Sequence, residues 1–358
     1  MPAEPGARAP AAGPRRPVLF VTNHVPPDRL GAFAALNERE GIELALFGGR
    51  SHHATAGVED VPVVPYRRID QRRVFALAGS RRYRAVVCGT AGRIALPAAW
   101  RGARRAGVPF LLWSALWADV RTPAHLAAWP LMAAIYRDAD VVVAYGEHVA
   151  AFARRRGARR TIVAPQAVDR AFWSAPVDPR DAAAARLVPG FQVLFTGRDV
   201  PEKGLSVLHR AWPEPFVVLG ATTTPPAPAI GVGPQPPAVV RNFYAASDVL
   251  VVPSLPTRSF REPWGLVINE AMDQHLPIIA SDAVGAAAGG LVSDGRTGLV
   301  VPAGDVPALA AALRRMHDEP GLRARLGAAG REAVKAYTHD AWAAGVSAAL
   351  AGVGASRC

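Results

Sequence analysis

The chain is poor in cysteine, with only Cys88 and Cys358 among its 358 residues. Two isolated cysteines make neither a disulfide framework nor a cysteine-rich metal site, so we expect a reducing, cytoplasmic location. No run of about eighteen apolar residues occurs, which argues against a membrane-spanning helix. Residues 1–16, rich in Ala, Pro, Gly and Arg, lack the apolar core of a signal peptide and predict a disordered tail.

Two further motifs are absent, and their absence argues against a class of enzyme and a kind of metal site. No Gly-x-Gly-x-x-Gly follows the first apolar strand at Val18–Thr22, and the glycines between Gly285 and Gly290 have the wrong spacing for that fingerprint. An enzyme that transfers a hydride from a dinucleotide is therefore disfavoured. The chain also has no His-x-x-x-His pair and no cysteine cluster, so a zinc site is not expected.

Acidic residues are fewer than basic ones: 29 Asp and Glu stand against 41 Lys and Arg, a formal charge of +12. Much of the excess lies in the first half, for example in Arg104–Arg105 and Arg154–Arg156. Without interleaved aromatic residues, nucleic acid is not the expected partner. An anionic membrane leaflet fits such a surface better, which leaves open peripheral contact at the inner face of the membrane. A solvated arginine-rich surface explains the charge without any partner.

Short apolar strands alternate with helical stretches, which predicts doubly wound parallel sheets of the α/β class. The length suffices for two domains, which we place at residues 17–172 and 173–339. The connection is expected between Pro165 and Gly190. The strands predicted in the first half are Val18–Thr22, Ile42–Phe47, Ala85–Cys88, Pro109–Trp113, Val141–Ala144 and Thr161–Pro165.

The most informative segment runs from Arg261 to Met272 and carries Glu262 and Glu270. Pro263 is expected in the first turn of a helix, where its missing N–H costs no hydrogen bond. Glu262 then precedes the helix, and Glu270 lies two turns along it. The helix N-terminus suits a phosphate, and the carboxylates suit hydroxyls beside that phosphate. A sugar or ribose joined to a diphosphate has this shape, while a capped surface helix with solvated carboxylates is the simpler alternative.

The flanking sequence places this segment in a βαβ unit. Val249–Val252 predicts a buried parallel strand before it, and Leu276–Ser281 predicts the next strand. Upstream, the strand Gln192–Thr196 leads into a loop that carries Arg198 and Lys203. An arginine fork and a lysine point charge can hold an anion, although solvated loop charges are the alternative. Such loops open at the carboxyl ends of strands, where open α/β sheets bind ligands.

Together with the Asp294–Pro302 tail, these motifs resemble the donor half of the family-four (group 1) retaining glycosyltransferases of the GT-B fold. The resemblance is strong from Phe191 to Tyr337 and weak in the first half. It implies two Rossmann-like, doubly wound parallel-sheet domains that face a cleft. The N-terminal domain would receive the acceptor, the second would bind the nucleotide sugar, and a final helix at 340–352 would pack back on the first.

The resemblance also implies roles for individual residues. Arg198 and Lys203 would hold the donor diphosphate, Glu262 would contact the transferred sugar, and Glu270 would bind the ribose. Glu262, Arg198 and Lys203 are thus the expected catalytic groups. The donor-binding set is completed by the backbone around the helix start, at Trp264, Gly265 and Leu266.

The first domain departs from the family pattern. Its loop after the first strand holds one glycine instead of several, and we place His24 and Asp28 there as acceptor contacts because they follow a strand end. The family often has a histidine after the fourth strand, where this chain has Trp113–Asp119. Asp119 and His125 are the remaining candidates on that side.

Asp138-Ala139-Asp140 has the Asp-x-Asp form used by metal-dependent glycosyltransferases of the other fold. A turn before the Val141 strand explains these aspartates equally well, and no metal is expected. We therefore expect a hexosyltransferase that moves a sugar from a nucleotide diphosphate sugar to an acceptor hydroxyl with retention, without metal or cofactor. The acceptor would be a sugar, a lipid-linked sugar or a small molecule.

Two alternatives stay open. One is a catalytically silent paralogue that binds a nucleotide sugar, although the intact Arg198, Lys203, Glu262 and Glu270 argue against it. The other is a sugar epimerase or phosphorylase of the same fold. No lysine in a context that suits pyridoxal phosphate supports the phosphorylase.

Overall fold

The first domain is built on a seven-stranded parallel sheet. A computed structural model describes residues 16–48, 63–222 and 224–355, so residues 1–15 of the expected tail and Cys358 lie outside the described residues. The strands are β1 (Val18–Thr22), β2 (Ile42–Leu46), β3 (Tyr66–Arg68), β4 (Ala85–Gly89), β5 (Phe110–Ser114), β6 (Val141–Ala144) and β7 (Thr161–Val163). Their order is β3-β2-β1-β4-β5-β6-β7, so the winding direction reverses between β1 and β4. Of these seven strands, only β3 was not predicted, because its residues are polar and partly exposed.

The second sheet has six parallel strands. They are β8 (Val193–Thr196), β9 (Phe216–Leu219), β10 (Ala229–Gly233), β11 (Val249–Val252), β12 (Ile278–Ser281) and β13 (Leu299–Val301). Their order is β10-β9-β8-β11-β12-β13, with the reversal between β8 and β11. Two Rossmann-like doubly wound sheets were predicted, and both are confirmed.

Helices cover both faces of each sheet. Those between strands of the first sheet are α1 (Leu30–Glu40), α2 (Val74–Ala78), α3 (Ala95–Ala106), α4 (Pro123–Asp138) and α5 (Glu147–Arg155). The later ones are α6 (Arg170–Trp173), α7 (Pro179–Ala185), α8 (Leu205–Ala211), α9 (Pro237–Ala246), α10 (Leu266–Asp273), α11 (Gly285–Ala288), α12 (Val306–Asp318), α13 (Pro320–Val334) and α14 (His339–Ala351). Because strands are buried from both sides, central strands such as β1 are continuous apolar runs. In the part of the chain that is described, no helix combines the length and apolar character needed to cross a bilayer.

The last helix, α14, packs on the first domain. It contacts α1, β6 and β7. Trp342 is fully buried there, with its ring centroid 5.3 Å from that of Phe33 in an edge-on arrangement. Thr338 caps the helix by accepting a hydrogen bond from the Ala341 N–H at 3.0 Å. The polypeptide therefore passes between the domains once before β8 and again before α14, while the residues that mark the domain borders stay a prediction.

The segment expected as the interdomain connection, residues 165–190, contains the short helices α6 and α7. Asp169 and Asp178 cap them by accepting hydrogen bonds from backbone N–H groups. Trp173 and Val188 are buried in the core of the second domain. Its aspartates start these helices and its alanines favour them, so this connection is partly helical.

Candidate active site

Glu262 lies between β11 and α10, at the carboxyl end of the second sheet. Its Oε2 is 2.5 Å from the Nζ of Lys203, which closes a 3-10 turn (Pro201–Lys203) after β8. The hydroxyl of Ser254 donates to the same oxygen at 3.4 Å. Only 7% of Glu262 is exposed. A nearly buried carboxylate that is paired and hydrogen-bonded is held in one position, as a substrate-orienting group must be.

The helix after Glu262 begins three residues later than predicted. α10 starts at Leu266, and its N-cap, Gly265, has φ +91°. Glycine adopts this conformation without strain, and a Cβ there would lie 3.3 Å from Val284. The prediction that Pro263 occupies the first helical turn is therefore wrong, and Glu270 lies one turn into the helix instead of two. The first N–H groups of α10 have no acceptor within the helix, which suits an anion.

Glu270 is held from α9 by Tyr244, whose hydroxyl donates to Oε2 at 2.7 Å. Burial raises the pKa of Glu270 to about 7; the Tyr244 hydrogen bond opposes this shift, and the charge of Asp28 adds to it. Asp28 belongs to the first domain, so its field reaches Glu270 across the cleft. Glu270 therefore changes charge near neutral pH.

Arg198 follows β8 directly after Gly197 and is partly exposed. No carboxylate within the described ranges pairs with its guanidinium. It lies five positions before Lys203, at the end of the strand where the winding of the second sheet reverses. An uncommitted arginine at this edge is available to a diphosphate.

Two side chains of the first domain contact the loop that carries Glu262. Trp117 donates its indole N–H to the Glu262 carbonyl at 3.0 Å, and His148 Nε2 lies 3.2 Å from the Pro263 carbonyl oxygen. The His148 ring also lies 5.9 Å from the ring of Trp264. Burial lowers the pKa of His148, although the bond to Pro263 opposes that shift. A neutral imidazole that donates through Nε2 fits this geometry.

The sequence interpretation missed His148 and Trp117. His148 lies in the first turn of α5, just beyond the carboxyl end of β6. The rule that ligand-facing residues follow strand ends could have found both of them. At Trp264 the predicted donor contact is through the backbone, and its side chain is buried, with the indole N–H donating to Asn269 at 2.8 Å. The indole thus supports the loop from within, and Leu266 is only partly buried at the helix start.

The four acceptor-side candidates fall into two pairs. His24 follows β1, and Asp28 lies in the next 3-10 turn (Pro27–Arg29), where its backbone carbonyl is 3.1 Å from His339 Nε2. Asp119 forms an ion pair with Arg156. His125 is exposed at the start of α4 and lies 2.7 Å from the Thr122 hydroxyl. Asp119 and His125 line a common, largely apolar cavity of 500 Å³ in the first domain.

The Asp-x-Asp pair has a structural environment. Asp138 accepts hydrogen bonds from Trp100 Nε1 at 2.6 Å and from Arg104 Nε at 2.7 Å. Asp140 accepts from Arg104 at 2.9 Å and from the Phe110 N–H at 2.8 Å. Across the described residues, no three His, Cys, Asp or Glu side chains are grouped so as to hold a metal ion. The two aspartates thus fasten α3 and α4 to the start of β5.

Residues 228–319 match the family model "Glycosyl transferases group 1". A D-inositol 3-phosphate glycosyltransferase of Acidothermus cellulolyticus is 33% identical over 204 residues, which cover 47% of this chain and 42% of that protein. A phosphatidyl-myo-inositol mannosyltransferase of Mycobacterium leprae is 37% identical over 177 residues, covering 44% of this chain and 45% of that protein. The chain therefore aligns with less than half the length of each of these curated relatives.

Solved structures share the whole architecture. Anabaena HepE in complex with UDP and glucose superimposes with a TM-score of 0.73 at 18% identity, covering 94% of this chain and 100% of that one. Sucrose-phosphate synthase from Thermosynechococcus elongatus gives a TM-score of 0.71 at 22% identity, covering 92% and 97%. At these identities the likeness establishes the fold.

Proposed function

We propose that this chain, which belongs to the group 1 glycosyltransferases and has the GT-B fold, transfers a hexose from a nucleotide diphosphate sugar to an acceptor hydroxyl with retention. Arg198, Lys203 and the N-terminus of α10 would stabilise the negative charge that develops on the departing diphosphate. Glu262 would orient the transferred sugar, and Glu270 would accept hydrogen bonds from the ribose.

One observation carries this proposal: Lys203 and Glu262, 59 positions apart, form a 2.5 Å ion pair beside the free N-terminus of α10. Preorganised positive charge beside a leaving group typically accounts for several kcal/mol of transition-state stabilisation. Closure of the two domains over the donor would exclude water and limit hydrolysis. The same positive groups could replace a metal ion, and chelator-insensitive transfer would be the sign of this.

The acceptor is proposed as a hydroxyl of a sugar, a lipid-linked sugar or a small molecule. The two curated relatives, a D-inositol 3-phosphate glycosyltransferase and a phosphatidyl-myo-inositol mannosyltransferase, have by their names a phosphorylated inositol and phosphatidyl-inositol as acceptors. A cytoplasmic enzyme with peripheral contact to anionic membrane fits the arginine-rich first half. Flotation with anionic vesicles should then be lost at high salt, whereas equal binding to neutral vesicles would contradict the membrane contact.

Nucleotide titration tests the donor site. UDP and GDP are titrated calorimetrically into the parent chain, Lys203→Ala, Glu270→Ala and the control Arg314→Ala, whose exposed side chain lies on α12. Loss of a charged hydrogen bond costs roughly 1.5–3 kcal/mol, so each site variant should bind the nucleotide about tenfold more weakly or worse. Unchanged affinity in both site variants would refute the assignment.

Product analysis separates the alternatives. A transferase yields a new glycoside and free nucleoside diphosphate only when an acceptor is present, and NMR of the new anomeric proton reports retention. A silent paralogue binds the nucleotide but gives no product. An epimerase interconverts the sugar of the donor without any acceptor.

A further inference from the structure

A cavity of 790 Å³ lies between the two domains and is unusually rich in arginine. One wall is the loop between β5 and α4 together with α5, and the other is residues 256–263. The arginines that line it are Arg121, Arg155, Arg156, Arg258 and Arg261. Its volume lies within the range of ligand pockets, about 300–1,000 Å³.

The charge of this cavity is almost uncompensated. Asp119 is the one acidic lining residue, so five arginines and one aspartate give a formal charge of +4. Asp119 is already paired with Arg156. For Arg121, Arg258 and Arg261, no carboxylate of the described residues serves as partner. Like charges gathered in a concave site attract an anion strongly.

Both domains supply this charge. Arg121 comes from the first domain and Arg258 from the second, and their backbones meet where the Arg121 N–H donates to the Arg258 carbonyl at 2.7 Å. With the domains in contact, the two sets of guanidinium groups repel each other. An anion between them would offset that repulsion and favour the closed arrangement.

The cavity adjoins the proposed reaction centre. Pro263, directly after Glu262, lies in its wall. Arg261 lies over the ring of Trp117, 4.6 Å from the centroid, and the same indole donates its N–H to the Glu262 carbonyl. Arg156 is fixed in turn by Trp129, whose ring centroid is 3.7 Å away. Aromatic faces thus hold two of the cavity's guanidinium groups, and one of them, that of Arg261, directly precedes Glu262.

We propose that this arginine cavity binds a phosphate group carried by the acceptor, so that the acceptor is a hydroxyl compound bearing a phosphate ester. This inference rests on the proposed function and names its substrate class. Arginine forks match phosphate geometry better than any other side chain, and the acid-poor lining leaves them available. The phosphate enters between the domains, and the attacking hydroxyl lies toward Glu262.

The test uses two ligands and three variants. Glucose 6-phosphate and the nucleoside diphosphate that binds, UDP or GDP, are titrated separately into the parent chain. The variants are the double substitution Arg121→Ala with Arg258→Ala, the donor-site Lys203→Ala, and the control Arg314→Ala. Alanine keeps the backbone bond between positions 121 and 258, and thermal melts check that each variant is folded.

The expected result is a double dissociation. The cavity variant should bind glucose 6-phosphate at least about tenfold more weakly and the nucleotide unchanged, while Lys203→Ala should show the reverse. Equal glucose 6-phosphate affinity in the cavity variant and the parent, or no binding by the parent, overturns the inference. If the cavity variant and Lys203→Ala both bind the nucleotide as tightly as the parent does, the proposed donor site is refuted instead. The two failures are therefore distinguishable.

Two sources of the phosphate are separated by further arms. Glucose in place of glucose 6-phosphate should bind at least about tenfold more weakly to the parent chain, and equal binding of the two overturns the inference. Vesicles of neutral lipid with and without phosphatidylinositol test a lipid headgroup. Binding to the phosphatidylinositol vesicles that needs Arg121 and Arg258 assigns the cavity to a lipid phosphate, and binding confined to the soluble ester assigns it to a sugar phosphate.

Discussion

The carboxyl ends of the two sheets hold their charged side chains in different ways. In the second domain, Glu262 and Glu270 are each held by a short bond from a neighbouring element, to Lys203 at 2.5 Å and to Tyr244 at 2.7 Å. In the first domain, Asp119 pairs with a cavity arginine, and His125 is exposed and lies 2.7 Å from the hydroxyl of its helix cap, Thr122. The two carboxylates of the second edge are thus fixed by neighbouring elements, whereas the first edge holds an ion pair and an exposed histidine.

This difference suits two halves of one reaction. A donor diphosphate and its ribose are the same for many acceptors, so a fixed constellation serves them. In the proposed function, the acceptor would instead be recognised by loops and by the cavity between the domains, where a few side chains would decide its class. The contrast predicts that substitutions at the second edge cost more than those at the first.

The largest expected effect comes from Glu262→Gln. Its neutral amide keeps the shape but loses the ion pair with Lys203, so transfer should fall about 10²–10³-fold, a range seen when one preorganised polar group is removed. The matched variant His125→Gln at the first edge should change the rate less than threefold, by about the uncertainty of such a measurement. Initial rates with a fixed donor and acceptor measure both.

The proposed difference between the two edges is contradicted if His125→Gln transfers sugar as slowly as Glu262→Gln does. That result would place the essential group in the first domain. Nucleotide titration provides the control, since both variants should still bind UDP or GDP.

A second, smaller effect is expected from Gly204→Ala. Gly204 has φ +72°, and a Cβ there would lie 2.0 Å from the Pro253 carbonyl oxygen. Backbone strain and the forced shift should lower the free energy of unfolding by about 1–3 kcal/mol and displace the neighbouring Lys203.

Chemical denaturation measures the loss, with Gly321→Ala as control because nothing lies within 4 Å of its added Cβ. Gly321 lies in the first turn of α13, where alanine should be neutral or slightly stabilising. If Gly204→Ala keeps both its stability and its nucleotide affinity, the donor loop is not rigidly packed.

Much of the fold could be predicted from the sequence, because strands buried on both faces are unmistakable apolar runs. β1 and β11 are examples. In the first sheet, β3 was not predicted because an edge strand needs no apolar run, and its residues include Arg67, which pairs with Glu43. The start of α10 was misplaced because proline is common at the first helical position, whereas in the structure Gly265, with φ +91°, is the N-cap of the helix.

The donor side of the candidate site could be predicted for a local reason: Arg198, Lys203, Glu262 and Glu270 lie in two short motifs. The acceptor side could not, because its contacts join residues more than a hundred positions apart, such as His148 with Pro263. The loop between α10 and β12 carries His275. His275 has φ +60°, which shows that this loop tolerates a side chain in a left-handed conformation that sequence patterns assign to glycine.

The third prediction concerns pH. Burial raises the pKa of folded Glu270 to about 7 from an ordinary value of 4.5, so the folded state holds its proton more tightly. The stability contributed by this group is full below about pH 4.5 and is lost as the pH rises through about 7. Between pH 5 and 8, the melting temperature of the parent should therefore fall by a few degrees relative to Glu270→Gln.

The pKa of Asp273 is raised in the same direction, to about 6, by burial, but it is present in both proteins and cancels in the difference. A melting difference that is constant across the pH range would show that Glu270 is ionised throughout. Glu270 would then not be a group of the second edge that titrates near neutral pH.

The smallest effect is expected from Asp138→Asn. This substitution tests whether the Asp138 and Asp140 pair of the first domain acts on substrate, as is proposed for Glu262 and Glu270 of the second. Burial raises the pKa of Asp138, but hydrogen bonds from Trp100 and Arg104 lower it below its ordinary value overall. Its contribution to stability is therefore present above about pH 3.8 and lost below it. Because half of the side chain is exposed, the substitution should lower the free energy of unfolding by about 1 kcal/mol or less at pH 7, with the transfer rate and its response to chelator unchanged.

Denaturation of the parent and Asp138→Asn at pH 7 and pH 3 measures the stability. A loss of transfer as large as that of Glu262→Gln would mean that both acidic pairs act on substrate, since a clamp between α3, α4 and β5 cannot reach the cleft.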